Sequence, residues 1–259
     1  MGRSKWILTP IQIANGIEKC IQIAHDLYMS GVFLNYQEPQ PIARALLILA
    51  VEEYGKIGWL YRGLMIRPNP GPEWAHFWWG YTHHALKNEV GRMMLTWRDS
   101  LLPALTPHFR ERFPFFGIPP EVLEEHKQGM LYVDYDAGRR VFVGPRDNFS
   151  TSNIDNKILI EEVEDIVRCV ARNRAAKVFE PRVLEEFHRL NMMARDESDR
   201  YALLHLFYAT ILRKPMGLAP EVPYDAVVAN VRARYPDEVD GLVQRWSTIG
   251  EQLAAPSPP

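Results

Sequence analysis

The sequence predicts a mainly α-helical protein with one small β insert. Apolar residues recur at helical spacing in one segment after another, proline- and glycine-rich stretches separate those segments, and strand-like alternation is convincing only once.

The first helix opens at Thr9-Pro10, since threonine caps a helix and proline suits its first position. Ile13, Ile17, Cys20, Ile21, Ala24, Leu27 and Tyr28 then follow at helical spacing, and Gly31 is expected to end the run. After Glu38-Pro-Gln-Pro41 a second helix is expected over about Ile42 to Met65. Pro68, Pro70, Gly71 and Pro72 separate it from a tryptophan-rich helix expected over about Glu73 to Leu102. Pro103 to Pro120 reads as an irregular packed connection, followed by a short helix over Glu121 to Gln128. Met130 to Pro145 alternates around Asp136-Ala-Gly138, which predicts a hairpin at about 130–145. Helices are then expected over Asn153–Lys177, Pro181–Ala194, Asp199–Leu212 and Tyr224–Leu253, before a disordered tail at 254–259. This reading divides the chain into a core of residues 1–178 and a C-terminal helical extension of residues 179–253.

With 259 residues, 47% hydrophobic and 24% charged, the chain can bury a substantial core. A net charge of −2 excludes a protein that coats nucleic acid by bulk charge, though not one with a local basic patch. Cys20 and Cys169 stand alone in apolar helical patterns, which excludes a disulfide framework and fits a reducing cytoplasm. No stretch reaches the ~20 apolar residues of a membrane span, and the first residues lack a signal-peptide pattern. No glycine-rich phosphate loop occurs, and His76, His83 and His84 lack the four-residue spacing of a zinc helix, so no cofactor or metal is expected.

The charged residues are more telling. In the second helix Leu46, Ala50, Ile57, Leu60 and Leu64 form a stripe with Glu53 in its middle, while Glu52 is expected to point sideways toward Lys56. A carboxylate among apolar side chains costs several kcal/mol unless a cation or donor meets it. The tryptophan helix offers such groups: its buried face of Trp74, Phe77, Trp78 and Tyr81 continues, at the same spacing, to His84, Lys87, Asn88 and Gly91. His83 falls away from that face. Glu53, Lys56, His84 and Lys87 are therefore expected to converge, as a pinning ion cluster or as an active site. Arg168, Arg172, Arg174 and Lys177, and Arg139, Arg140 and Arg146 at the hairpin, are either phosphate contacts or solvated surface.

Glu52-Glu-Tyr-Gly-Lys56, then His84-Ala-Leu-Lys87 at the end of a tryptophan-rich helix, then His126-Lys-Gln-Gly-Met-Leu-Tyr-Val-Asp-Tyr135, resemble the AbiV family of abortive-infection proteins over about residues 10–178. That family is grouped with the HEPN superfamily, many of whose members are metal-independent endoribonucleases of phage defence. The resemblance implies a HEPN-like helical bundle, homodimeric, with a polar site between long helices and RNA as partner. The HEPN hallmark of arginine, four to six residues, then histidine is absent before His84. It occurs at Arg182…His188 and, closer to the hallmark, at Arg200-Tyr-Ala-Leu-Leu-His205, which makes Arg200 and His205 a second candidate pair. Two functions stand against each other: RNA cleavage with His84 as acid or base, or a non-catalytic dimer that binds a phage protein or a regulatory partner.

Overall fold

The computed structural model describes residues 6–37, 41–69, 71–96, 120–131, 134–136, 141–143, 155–211 and 223–254. The helices are α1 (Pro10–Gln37), α2 (Pro41–Gly63), α3 (Pro72–Thr82), α4 (His84–Thr96), α5 (Pro120–Leu131), α6 (Asn156–Ala175), α7 (Pro181–Met193), α8 (Glu197–Ile211), α9 (Tyr224–Arg234) and α10 (Val239–Ala254). The described chain is mainly helical, as expected. Strands β1 (Asp134–Asp136) and β2 (Val141–Val143) pair antiparallel, with Tyr135 opposite Phe142. The turn between them, Arg139, Arg140, Arg146, most of the 103–120 connection and the tail after residue 254 lie outside the described residues.

Thr9 begins α1 as the sequence indicates. Its hydroxyl accepts the Gln12 amide at 3.3 Å while the Gln12 side chain accepts the Thr9 amide at 2.9 Å, a reciprocal cap that satisfies two otherwise orphaned donors. Three helix limits differ from expectation. Helix α1 runs through Gly31 to Gln37: a Cβ at Gly31 would lie 3.0 Å from Leu47 and 3.2 Å from the Ala43 carbonyl, so this glycine admits α2 rather than ending α1. The tryptophan helix breaks at His83, whose backbone is extended (φ −82°, ψ 118°). The last helix breaks at Tyr235, because Pro236 drives the residue before it out of the helical region.

Helix α2 is the centre of the molecule. Sixteen of its 23 residues are buried, on every side, and α1, α3, α4, α5 and α6 all pack on it. Its closest neighbour is α4. A Cβ at Gly55 would stand 1.8 Å from the Lys87 carbonyl, and one at Gly91 would stand 2.4 Å from the Val51 carbonyl. The two helices therefore touch backbone to backbone, and only glycine fits at the crossing.

The C-terminal helices share the same continuous apolar core, in which Phe207 meets Phe187 and Trp246 edge-on. His188 Nδ1–H donates to the Leu64 carbonyl at 2.6 Å, and Tyr61 donates to the Val178 carbonyl at 3.0 Å. Lys177 holds the left-handed φ of 57° that closes α6, a place where glycine is usual. Its ammonium donates to the Leu253 carbonyl at the end of α10 at 2.6 Å. Buried Asp199 ties α8 to α9 by accepting from Arg195 (2.7 Å), Tyr235 (2.8 Å) and Arg234 (3.0 Å).

Gly55→Ala is expected to destabilise the protein by about 3 kcal/mol or more, since backbone cannot move aside for the methyl group. Gly241→Ala, with nothing within 4 Å, should be neutral or stabilising by about 0.5–1 kcal/mol. Urea unfolding of the two variants measures the contrast. The Arg195 hydrogen bond outweighs the cost of burial and, with those from Tyr235 and Arg234, holds the Asp199 carboxyl well below the usual range. A depressed folded-state pKa gives stability that is present above the unfolded value and lost as pH falls. The difference in Tm between wild type and Asp199→Asn should thus be full at about pH 7 and shrink below about pH 4.

Candidate functional site

The crossing of α2 and α4 places Glu52 at the centre of a charged cluster. Its side chain is 1% exposed, and His84 Nδ1 lies 2.6 Å from one carboxylate oxygen. Lys87 Nζ stands 3.2 Å from that same oxygen. Lys127 of α5 donates to the other oxygen at 2.6 Å, and Asn88 contacts it at 3.4 Å. Lys127 also donates to Glu124 at 2.6 Å. Burial pushes the Glu124 carboxyl up, but hydrogen bonds from Gln128 and Lys127 and the nearby Lys127 and His84 charges together hold it below its ordinary value.

The members differ sharply in their access to water. Lys87 and Lys127 are almost wholly buried, whereas the His84 side chain is 50% exposed. One imidazole therefore links an interior carboxylate to solvent. A nitrogen and a carboxylate oxygen 2.6 Å apart need a proton between them, so Nδ1 is the protonated nitrogen and donates to Glu52. The Lys127 and Lys87 ammonium groups, 3.1 and 3.3 Å from Nδ1, then find no lone pair there and are held by the carboxylate instead. In the neutral ring this leaves Nε2 as the basic atom.

Glu52, His84 and Glu124 bring potential metal-ligand atoms within 4.8 Å of one another. The Lys127 ammonium bridges the two carboxylates at 2.6 Å each, so the place of a cation between them is taken by the chain's own charge. Two carboxylates against two ammonium groups already balance, and the donor set does not fit a resident metal.

Of the expected group, His84 and Lys87 meet here, but Glu53 and Lys56 do not. Glu53 pairs with Lys56 one turn on, at 2.5 Å, and Lys56 lies 5.8 Å from the centre of the Tyr81 ring. The expected roles of Glu52 and Glu53 are exchanged, because α2 is buried all round and an apolar stripe on it does not mark one inner face. Gly55 and Gly91 do carry the missing signal: Glu52 lies one turn before Gly55, on the side where α4 touches. Lys127 and Glu124, which sequence reasoning did not propose, lie in or beside the His126-Lys-Gln-Gly stretch.

Arg200 and His205 lie on α8, which packs with α7, α9 and α10 rather than with the Glu52 helices. No described contact joins the two residues or links either to the cluster. Five positions on a helix set them ~140° apart. Burial pushes the His205 pKa down. Of the cations on and just after α6, Arg168 is paired with Asp165 and Arg174 with Glu18, while Lys177 is held by the Leu253 carbonyl.

The described residues form a helical bundle that keeps a half-exposed histidine against a buried carboxylate. The chain matches the AbiV family of HEPN proteins over residues 12–164, from α1 to the middle of α6, and belongs to that family. No curated protein and no solved structure matches it.

Glu52→Gln should cost about 3–5 kcal/mol, because it leaves two buried ammonium groups without their common counter-charge. Glu53→Gln should cost about 1 kcal/mol or less. Thermal unfolding of the two neighbouring variants measures the asymmetry.

Proposed function

We propose that the protein is an anti-phage abortive-infection factor of the cytoplasm, a homodimer that cleaves RNA at His84 without a metal. The observation that carries this reading is the half-exposed imidazole whose Nδ1 is anchored on a buried carboxylate. In the proposed reaction His84 Nε2 takes the proton of a ribose 2′-hydroxyl as its oxygen attacks the adjacent phosphate. Glu52 holds the ring and stabilises the imidazolium that forms. The bond to the departing 5′ oxygen breaks and that oxygen receives the proton, leaving a 2′,3′-cyclic phosphate and a 5′-hydroxyl. Lys87 and Lys127 balance the two carboxylates, so protonated His84 gives the site one net positive charge toward the phosphorane. They act through this field rather than by contact, being buried.

That same burial favours a second reading, in which the cluster only pins α2, α4 and α5 and the protein binds a phage or regulatory partner. An RNA-cleavage assay in EDTA separates the two. Wild type is expected to cut and His84→Ala to lose at least about 100-fold in rate while staying folded, with His205→Ala unaffected. Equal cleavage by His84→Ala would sink the catalytic reading.

A further inference from the structure

Immediately before His84, the outer face of α3 carries a row of rings that its packing does not require. The buried face of α3 is Trp74, Phe77 and Gly80. On the opposite side His76, Trp79 and His83 follow one another at one-turn spacing, all exposed, with Trp79 53% exposed. Trp79 lies between the two imidazoles, its ring centre 5.5 Å from that of His76 and 5.2 Å from that of His83. His76 continues inward to buried Trp59 at 6.2 Å, and the Arg62 guanidinium sits 5.1 Å from the Trp59 ring centre. Partial desolvation and, after it, the Arg62 charge push the His76 pKa down.

We infer that this face of α3 is a stacking platform for the unpaired bases of single-stranded RNA, set to feed the strand to His84. The inference rests on the ribonuclease reading of the His84 site and names its substrate class. Every base has a π face, so an exposed indole flanked by two imidazoles offers affinity without demanding a sequence. A ring already fixed by its neighbours also loses little freedom on binding. Arg62, half-buried against Trp59 behind the row, adds a positive field there rather than a direct phosphate contact. The break at His83 puts the last ring of the row one residue from the proposed base, where consecutive Cα atoms are ~3.8 Å apart. Double-stranded RNA hides its base faces and is not a partner for such a row.

Binding of 2′-O-methyl oligonucleotides, which lack the attacking hydroxyl, tests this without cleavage. Fluorescence anisotropy would compare a base-bearing single strand, an abasic strand of equal length and a duplex, on wild type, Trp79→Ala and Trp79→Phe. Trp79→Ala should weaken binding of the base-bearing strand about tenfold and leave the abasic strand unchanged, with Trp79→Phe recovering most of the loss. Wild-type affinity in Trp79→Ala, or equal loss for both single strands, would overturn the platform. Tight, Trp79-dependent binding by a wild-type protein that cuts no RNA would uphold the platform and remove only the catalytic reading. Cleavage by wild type with no Trp79 dependence of binding would remove only the platform. Absence of binding to any strand would overturn it as well.

Discussion

The contact between α2 and α4 at Gly55 and Gly91 is the constraint on which the other features rest. Two helices whose backbones touch bring side chains one turn away into unusually short reach. Glu52 lies one turn from Gly55, and His84, Lys87 and Asn88 lie within two turns of Gly91. With larger residues at the crossing the axes would have to move apart, and the contacts to Glu52 would lengthen or break. The carboxylate would then be buried without its partners, which is far worse than not burying it.

A buried carboxylate with two ammonium groups and an imidazole is poor evidence for stability as such, because desolvating four polar groups offsets much of their attraction. Apolar side chains of similar volume would hold the same three helices at least as well. What the charged set provides is direction: it fixes the imidazole by one nitrogen and turns the other end of the ring outward. The AbiV match ends within α6, and the later helices join the same core through Lys177, His188 and Tyr61 without touching this arrangement.

Much of the fold was legible in the sequence. Thr9 and Pro10 begin α1, and the proline-rich stretches near residues 40 and 70 and Pro181 mark helix limits because proline acts locally. Gly31 misled, since a glycine that ends a helix and one that admits a neighbour look alike until the neighbour is placed. The break at His83 carries no proline or glycine at that position. Of the site, His84 and Lys87 were legible from helical spacing. The choice between Glu52 and Glu53 was not, because a helix buried on all sides has no hydrophobic stripe that defines inside. Lys127 was out of reach for another reason: it arrives from 75 positions away, by packing that no local pattern encodes.

The exposure of His84 above buried Glu52, Lys87 and Lys127 has a thermodynamic consequence. Whatever engages the outer nitrogen of this ring alters the charge that Nδ1 presents to Glu52, and through it the cohesion of α2, α4 and α5. Occupancy at the surface and order at the seam are then linked functions of one equilibrium, and linkage is reciprocal. A ligand on the outside should slow amide exchange along these helices, and any loosening of the helices should weaken the ligand by the same free energy.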